Sequence, residues 1–448
     1  MILAARGGTS LDISDEEADG LLSEVLSRVL GEIKNSGSVL ILPPDITRFY
    51  SRAGFLTDIA ARELGGGRRD RLGAVMPALG THMAMTAPEL RRMFPKTPAG
   101  KFRTHDWRND VVTLGRIEGS LVEQLSEGKV SYDWPVQVNK LLLDESISLI
   151  LSIGQVVPHE VIGMANHTKN IFVGTGGKEA IDKSHFMGAS YGMERMMGRA
   201  DTPVRALFDE GYKRFGSRLP PVLFVLTVVG PRSGAEAAGK PSAPGGTAAS
   251  LALRGIYMGF GRECFAEAAA LSRRVNVDLL DEPIKKAVVY LEPEEFRTTW
   301  LGNKAVYRTR MAMADGGELV ILAPGLQRFG EDLKVDELIR KFGYQPGKVI
   351  LKKAEKEKEL AENLSIAAHL IHGSSEGRFT VRYCPGPHLG RSEIESVGYE
   401  WGSLDEAASR YDVNKLCPGW NTLSDGEKIF FVPNPALGLW AERKRFNQ

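Results

Sequence analysis

Histidine side chains next to loop-forming residues are the first candidates for chemistry in this sequence. The 448 residues include eight histidines, and three of them, His82, His159 and His185, lie outside apolar stripes. Because imidazole titrates near neutral pH, a histidine in a loop suits proton transfer or metal ligation. Any one of them alone is more simply explained as a hydrogen-bonded structural side chain. Their spacing relative to other reactive residues therefore has to show whether they are catalytic, metal-binding or structural.

Four short motifs contain these histidines or a basic side chain next to loop-forming residues. In chain order they are Asp45-Ile46-Thr47-Arg48, Gly80-Thr81-His82 with Thr86 and Glu89, Pro158-His159 with Lys169 and His185, and Lys304 ahead of Gly316-Gly317. From the local sequence, Arg48 could bind a carboxylate or phosphate through its planar guanidinium, or form a surface ion pair with Asp45. Residues 174–178 (GTGGK) have neither the Walker nor the dinucleotide-binding spacing, so a nucleotide P-loop is not predicted.

Short apolar runs precede three of these motifs and predict the strands that position them. The runs are at 38–42, 73–79 and 147–153. Helical periodicity at 15–34 precedes the first run, and helical periodicity at 55–64 and 86–93 separates the runs. This alternation predicts an α/β domain with a largely parallel sheet. Ligands bind at the carboxyl ends of the strands in such sheets, which is where the three motifs are expected to lie.

A chain of this length is expected to form more than one domain. Strand-like runs at 287–291 and 319–322 predict a second α/β unit. We therefore predict two α/β domains with largely parallel sheets. The first would contain residues 1–278, which 420–448 could rejoin, and the second would contain 284–419.

The segments around the predicted domain boundary have different patterns. Residues 230–249 are rich in Gly, Pro and Ser and lack periodicity, which predicts a long loop. Residues 251–273 are predicted to form a helix. Further along, residues 352–364 mix charges at helical spacing, which is typical of a solvated helix face.

The composition argues against nucleic-acid and membrane partners. Lys and Arg number 57 against 56 Asp and Glu, a net charge of +1, which gives no electrostatic footprint for a polyanion. The sequence contains no run of about 18 apolar residues, and Met1–Glu17 does not have the pattern of a secretory signal. Three scattered cysteines fit a reducing compartment. We therefore expect a cytoplasmic protein.

Together the four motifs resemble the active-site pattern of the lactate racemase family, whose members use a covalently tethered nickel-pincer nucleotide. In that family the third motif reads roughly Pro-His, a lysine ten residues later and a histidine sixteen residues after that. The same spacing joins His159, Lys169 and His185 here. The order of the motifs and the distances between them also agree, so the resemblance spans most of the chain.

The resemblance implies a cofactor site. Lys169 would carry the cofactor, nickel pyridinium-3,5-bisthiocarboxylic acid mononucleotide, and His185 would be the protein's ligand to nickel. Asp45 would contact the nucleotide or a catalytic histidine. Imidazole beside sulfur donors in a square-planar site is a reasonable nickel environment. The enzymes that make this cofactor would be partners of the protein.

The resemblance also implies a reaction, which is the inversion of C2 in a 2-hydroxy acid by reversible hydride transfer to the cofactor. His82 and His159 would be the paired acid/bases of this racemase or epimerase. Arg48 and Lys304 would hold the substrate carboxylate in a cleft between the two domains. Hydride transfer leaves a planar keto acid and avoids the dianionic enolate that removal of the α-proton would create.

The chain departs from the family pattern at Gln155, at Val173 and in two segments next to the proposed site. Residues 165–169 (ANHTK) stand where the family typically has Ser-Gly-Gly-x-Lys, and the loss of two glycines narrows the backbone conformations available. Trp300 and Leu301, which would contact the substrate near Lys304, replace a tyrosine and a glutamine. A more apolar pocket wall favours a 2-hydroxy acid with a larger aryl or alkyl substituent than lactate.

Two other functions remain open from the sequence. His82, His159 and His185 could bind zinc directly in a hydrolase, although none has a second histidine or an acid at the usual short zinc-motif spacing. The chain could also be a degenerate family member that binds a nucleotide or carboxylate without turnover.

Overall fold

The computed structural model describes residues 1–33, 37–66, 70–232 and 251–447. The protein divides into two units, and each is built from α-helices and largely parallel β-sheet. The predicted fold class, two α/β units with largely parallel sheets, is therefore confirmed. The first unit contains Met1–Met187, Met197–Pro231 and Ala252–Val275, and the second contains Gly188–Met196, Arg232–Leu251 and Asn276–Gln448.

The first unit is organised by one six-stranded sheet. Its strands and those of two separate two-stranded sheets are β1 (Ile2–Gly7), β2 (Ser38–Leu42), β3 (Leu72–Val75), β4 (Val111–Ile117), β5 (Trp134–Asn139), β6 (Ile147–Gln155), β7 (Pro158–His159), β8 (Gly163–Met164), β9 (Val222–Pro231) and β10 (Leu251–Gly259). The order in the sheet is β1-β10-β9-β6-β2-β3. The pairs β2–β3, β2–β6 and β6–β9 are parallel, whereas β1 and β10 are antiparallel. Almost every residue of β6 and β9 is buried, as expected for parallel strands covered on both faces.

The helices of this unit are α1 (Asp15–Glu32), α2 (Ala53–Gly65), α3 (Ala87–Met93), α4 (Gly119–Leu125), α5 (Thr168–Phe172), α6 (Lys178–Tyr191), α7 (Pro203–Phe215) and α8 (Arg262–Asn276). Side-chain caps that the sequence already contains begin α1, α3 and α7 among them. The side chain of Ser14 accepts a hydrogen bond from the backbone of Glu17 and caps α1. Thr86 and Glu89 form a reciprocal capping box at the start of α3, so this pair of the second motif stabilises a helix end.

The helix predicted over 251–273 was wrong for its first nine residues, which form β10. This strand pairs with β1, and the partner lies about 250 residues earlier in the chain. A Cβ atom at Gly259 would lie 2.4 Å from the backbone oxygen of Met1, so a glycine is needed where the two backbones approach. The helix begins at Arg262 instead. Apart from its first three residues, the loop predicted at 230–249 lies outside the described residues.

The second unit has a six-stranded sheet of its own. Its strands are β11 (Val277–Leu280), β12 (Ile284–Tyr290), β13 (Met313–Ala323), β14 (Thr380–Pro385), β15 (Glu400–Trp401), β16 (Gly419–Thr422), β17 (Lys428–Val432) and β18 (Leu439–Glu442). The sheet order is β15-β14-β13-β12-β17-β16, and every neighbouring pair is parallel except β16 with β17. The strands β11 and β18 form a separate parallel pair.

Short helices connect the strands of the second unit. They are α9 (Thr299–Gly302), α10 (Lys304–Thr309), α11 (Leu333–Phe342), α12 (Gly347–Lys356), α13 (Lys358–Ala361), α14 (Leu364–His372), α15 (Arg391–Ser396), α16 (Leu404–Arg410) and α17 (Arg443–Phe446). The helix predicted over 352–364 is interrupted at Glu357, whose backbone is extended. Among the described residues of both units, no helix combines the length and the hydropathy needed to cross a bilayer.

Candidate active site

The carboxylate of Asp45 joins the first two sequence motifs. Asp45 follows β2 and caps a 3₁₀ helix (Ile46–Ser51), because its Oδ1 accepts hydrogen bonds from the backbone N–H and the hydroxyl of Thr47. Its Oδ2 lies 2.6 Å from Nδ1 of His82. The carboxylate has no proton to give, so Nδ1–H of His82 is the donor. This hydrogen bond leaves the lone pair of a neutral His82 on Nε2.

Asp45 is held in its charged form. Its side chain is buried, with 7% exposed, whereas 36% of the His82 side chain is exposed. Burial raises the pKa of Asp45, but the charge and hydrogen bond of His82 and the hydrogen bonds from Thr47 outweigh it, and the pKa falls to about 2. The carboxylate therefore fixes the orientation of His82 at any pH above this value.

A backbone hydrogen bond ties the loop of His82 to the segment that carries Lys169. The N–H of Gly80 donates to the carbonyl of Gly174 at 3.0 Å. Gly80 has a φ of +58°, a conformation that glycine adopts without strain. Gly174 directly follows α5 and Val173, and its own N–H donates to the carbonyl of Lys169 at 3.1 Å. The second and third motifs are thus fixed to each other through the main chain.

His159 has the opposite proton arrangement to His82. It lies at the end of β7, is buried, and its Nδ1 accepts a hydrogen bond from the backbone N–H of Val161 at 3.1 Å. In the neutral imidazole the proton must then be on Nε2. Oε2 of Glu160 lies 3.7 Å from the same Nδ1, close enough to stabilise an imidazolium.

Lys169 lies in the first turn of α5 and keeps partial exposure to solvent. Burial lowers the pKa of its amine to about 8, and the positive charge of Arg48 contributes in the same direction. The carboxylates of Glu160 and Asp45 act against this shift. Arg48, Asp45 and Glu160 therefore lie within electrostatic range of the amine, which brings the first and third motifs together.

His185 is prepared to donate a lone pair. It lies on α6, and its Nδ1 donates to the carbonyl of Ile181 at 2.7 Å, so the lone pair of the neutral ring is on Nε2. Burial lowers the pKa of His185 to about 4, and the charge of Lys169 adds to the effect. A neutral imidazole with its second nitrogen anchored to a carbonyl is the usual state of a metal-binding histidine.

The backbone just before Lys169 takes a conformation that favours glycine. Asn166 has a φ of +69° and His167 a φ of +61° with a ψ of −131°. These are the two positions at which the family pattern has glycine. Asparagine tolerates this region, whereas histidine in the second conformation is strained.

Arg205 of α7 holds this strained segment in place. Its guanidinium is completely buried and donates to the carbonyls of Met164 (2.6 Å) and Asn166 (3.1 Å) and to the hydroxyl of Thr168 (3.0 Å). The sequence contained no signal for this role, because Arg205 lies within an ordinary amphipathic helix. Glu160 was also missed, although an acid directly after His159 was a usable signal.

The ring of His167 fills an aromatic pocket. It lies 4.1 Å from the ring centroid of Phe224 and 5.3 Å from that of Phe265, and neither ring nitrogen has a hydrogen bond of acceptable geometry. Burial lowers the pKa of His167 well below its usual value, and Arg205 and Arg262 lower it further. The ring is therefore a neutral packing group that offsets the strain of its own backbone.

Two substitutions separate the packing of His167 from its strain. His167→Ala is expected to lower the free energy of unfolding by about 2–4 kcal/mol, because it leaves a cavity beside the two phenylalanines and keeps the unfavourable φ. His167→Gly loses the same ring but relieves the backbone, so it should be the more stable variant by about 1–2 kcal/mol. Urea unfolding of both variants measures the difference. Equal stabilities would show that the backbone is not strained at this position.

The lowered pKa of Lys169 predicts selective chemistry. At pH 7 an amine with a pKa of about 8 has about 300 times more of its neutral form than one with the ordinary value of 10.5. A small acylating reagent at pH 7 should therefore modify Lys169 before the exposed lysines, and peptide mapping by mass spectrometry would locate the product. The labelling rate should level off above pH 8. A rate that continues to rise to pH 10 would contradict the lowered pKa.

Comparison with known proteins gives a family match for part of the chain. A family model described as the lactate racemase N-terminal domain matches residues 19–196. This match supports membership of the lactate racemase family. The matched residues include the first three motifs, from Asp45 to His185. Among curated proteins, none matches the sequence.

Solved structures show the same fold over nearly the whole chain. A crystal structure of a protein from Thermotoga maritima has a TM-score of 0.79 at 21% identity, covering 97% of this chain and 99% of that chain. The lactate racemase apoprotein from Thermoanaerobacterium thermosaccharolyticum has a TM-score of 0.64 at 14% identity, covering 98% of this chain and 94% of that chain. The fold of a lactate racemase thus extends over both units, and family and fold together support a racemase-type role.

The fourth motif of the lactate racemase pattern lies in the second unit. Lys304 begins α10 and is buried, and its ammonium lies 5.5 Å from the ring centroid of Phe296. Trp300 and Leu301 lie on α9 and are partly exposed. The indole of Trp300 packs on the imidazole of His369, with ring centroids 4.4 Å apart. This segment therefore presents aromatic and apolar surface near a lysine.

Proposed function

We propose that the protein is a racemase or epimerase that inverts C2 of a 2-hydroxy acid and carries a nickel-pincer nucleotide on Lys169. The observation that supports this most directly is the pair formed by Lys169 and His185. One is an amine with a lowered pKa, and the other is a neutral imidazole that the charge of the amine affects.

The residues of the first unit fit such a cofactor. Lys169 has a large enough neutral fraction near pH 8 to form a covalent bond through its nitrogen, and Nε2 of His185 would be the one ligand from the protein. When bound, the cofactor supplies a hydride acceptor and donor for the substrate carbon. Because the cofactor brings its other donors with it, the site needs no cluster of protein ligands. The described residues indeed contain no group of three or more His, Cys, Asp or Glu side chains that could hold a metal ion.

The two remaining histidines suit proton transfer, one as the acceptor and the other as the donor. His82 offers a lone pair on Nε2 and can accept the proton of the substrate hydroxyl, and Asp45 stabilises the imidazolium that results. His159 can act as the acid when it is protonated on both nitrogens, because donation of the Nε2 proton to the carbonyl oxygen of the keto acid then leaves a neutral ring. For the reverse reaction the two exchange roles. Glu160 is placed to stabilise the charged form of His159.

The substrate carboxylate would be bound by Arg48 and Lys304. The guanidinium of Arg48 lies within electrostatic range of Lys169, so a carboxylate bound to it would be near the tethered cofactor. Trp300 and Leu301 would form the apolar wall that favours a larger substituent than the methyl group of lactate. The enzymes that synthesise and load the cofactor would be the protein's partners.

The two alternative functions have less support. A zinc hydrolase requires three protein ligands around one ion, and His82, His159 and His185 do not form such a group within the described part of the chain. A ligand-binding protein without turnover would not need two histidines in opposite tautomers, each beside its own carboxylate.

The decisive experiment is to produce the protein alongside the cofactor-making enzymes and measure its intact mass and nickel content. We expect an added mass equal to that of the cofactor and about one nickel per chain, followed by inversion of an aryl- or alkyl-substituted 2-hydroxy acid in a chiral chromatography assay. Unmodified protein without nickel, from cells that load a known family member, would overturn the proposal in favour of the ligand-binding alternative.

A further inference from the structure

The outer face of α8 lines a pocket that the proposed racemase chemistry does not use. The pocket has a volume of about 740 Å³, and residues 198–201 and Met164 complete its lining. Sites for small organic ligands have volumes of roughly 300–1,000 Å³. The pocket lies entirely within the first unit.

Arginines lie at both ends of a row of alanines on the face of α8 that lines the pocket. Arg262 lies at one end, Ala266, Ala269 and Ala270 in the middle, and Arg273 and Arg274 at the other end. Residues three and four apart share one face of a helix, so these side chains form a single row about 16 Å long. The alanines leave room between two positively charged ends.

The pocket concentrates positive charge. With Arg199 it has four guanidinium groups, and Asp201 is the one acid among the described residues that line it. Arg262 is fixed by Asp201 and Asp209, each at 2.7 Å. The whole chain has a net charge of only +1, so this concentration is local. Arginine is the residue that most readily binds phosphate, because its planar donors match two phosphate oxygens.

Two contacts connect the pocket to the loop that carries Lys169. On the buried side of α8, the ring of Phe265 lies against His167. At the edge of the pocket, Met164 accepts a hydrogen bond from Arg205, which also lies 4.1 Å from the ring centroid of Phe265. A ligand that restricted the motion of α8 or Met164 would therefore also restrict the motion of the segment before Lys169.

We propose that this pocket binds a phosphorylated small molecule of about mononucleotide size and that its occupancy makes local opening of residues 163–169 rarer. The phosphate would lie at the end formed by Arg273 and Arg274, and the flat or apolar part of the ligand would lie over the alanines. The proposal does not depend on the racemase activity, because the pocket belongs to the protein without its cofactor.

Calorimetric titration of the cofactor-free protein with ADP tests this site. We expect one ADP per chain, with affinity that falls as salt is added. The double variant Arg273→Ala/Arg274→Ala and the single variant Ala270→Glu, all at exposed positions, should each weaken binding by at least about tenfold. Arg28→Ala, which removes an exposed arginine of α1, is the matched control and should bind like the wild type.

Hydrogen exchange and a second ligand complete the test. ADP should slow amide exchange in 163–169 in the wild type and not in Ala270→Glu, and inorganic pyrophosphate should bind more weakly than ADP. Equal binding by the pocket variants and the Arg28→Ala control, or no binding of ADP at millimolar concentration, would overturn the site. Pyrophosphate binding as tight as that of ADP would overturn the assignment of the alanine row, and unchanged exchange would overturn the coupling.

Discussion

Replacing Lys169 with alanine is expected to remove the covalent adduct, the bound nickel and the inversion of 2-hydroxy acids together. The amine is the attachment point in the proposed mechanism, and its lowered pKa of about 8 supplies the neutral nitrogen that bond formation requires. Without it, His185 would be a single imidazole ligand, which is too weak to retain the metal through purification. Intact mass, metal analysis and chiral chromatography of protein from cofactor-making cells measure the three losses.

Lys178→Ala is the matched control for this experiment. Lys178 is the next lysine along the chain and forms an ion pair with Asp182 one helical turn later. The variant should retain the adduct, the nickel and most of the activity. An adduct that persists in Lys169→Ala, or disappears in Lys178→Ala, would place the tether on another residue.

Replacing either His82 or His159 with asparagine is expected to lower kcat by about 10²–10⁴-fold. Asparagine preserves the size and part of the hydrogen bonding but cannot transfer a proton. Each histidine is the base in one direction and the acid in the other, so the loss should affect both directions. The factor by which the substitution lowers kcat/KM must be equal in the two directions, because the equilibrium constant of the reaction does not change.

His388→Asn provides a control for the histidine variants, because His388 is exposed in the second unit and belongs to none of the motifs. Asp45→Asn adds a finer test: it should lower kcat with little change in KM, since it disturbs the proton arrangement of His82 and not substrate binding. If His82→Asn or His159→Asn kept more than a tenth of the wild-type kcat, that residue would not be an acid/base.

Strands that are continuous apolar runs could be predicted from the sequence, and strands fixed by distant partners could not. The run at 38–42 coincides with β2, and the run at 147–153 gives β6 apart from its last two residues. Residues 251–259 were mistaken for helix because their partner is the N-terminal strand. The predicted strand at 73–79 ends at Val75, four residues early, so the loop of His82 is longer than expected.

Spacing could identify candidate site residues but not their pairings. From the sequence, the partner of Asp45 could be Arg48, the nucleotide or a histidine. In the structure its carboxylate is hydrogen-bonded to His82, 37 residues away. The tautomers of His82 and His159 depend on single hydrogen bonds, one of them from the backbone of Val161, which no pattern encodes. The support that Arg205 gives to the backbone before Lys169 was invisible for the same reason.

The backbone at Asn166 and His167 also bears on when the tether loop acquires its shape. A Gly-Gly sequence samples many conformations when unfolded, and ordering it has a large entropic cost. Asn166 and His167 sample fewer, and the aromatic pocket and Arg205 select one of them during folding. The incoming nucleotide would then meet a preformed loop, and the protein should have the same backbone there before and after loading.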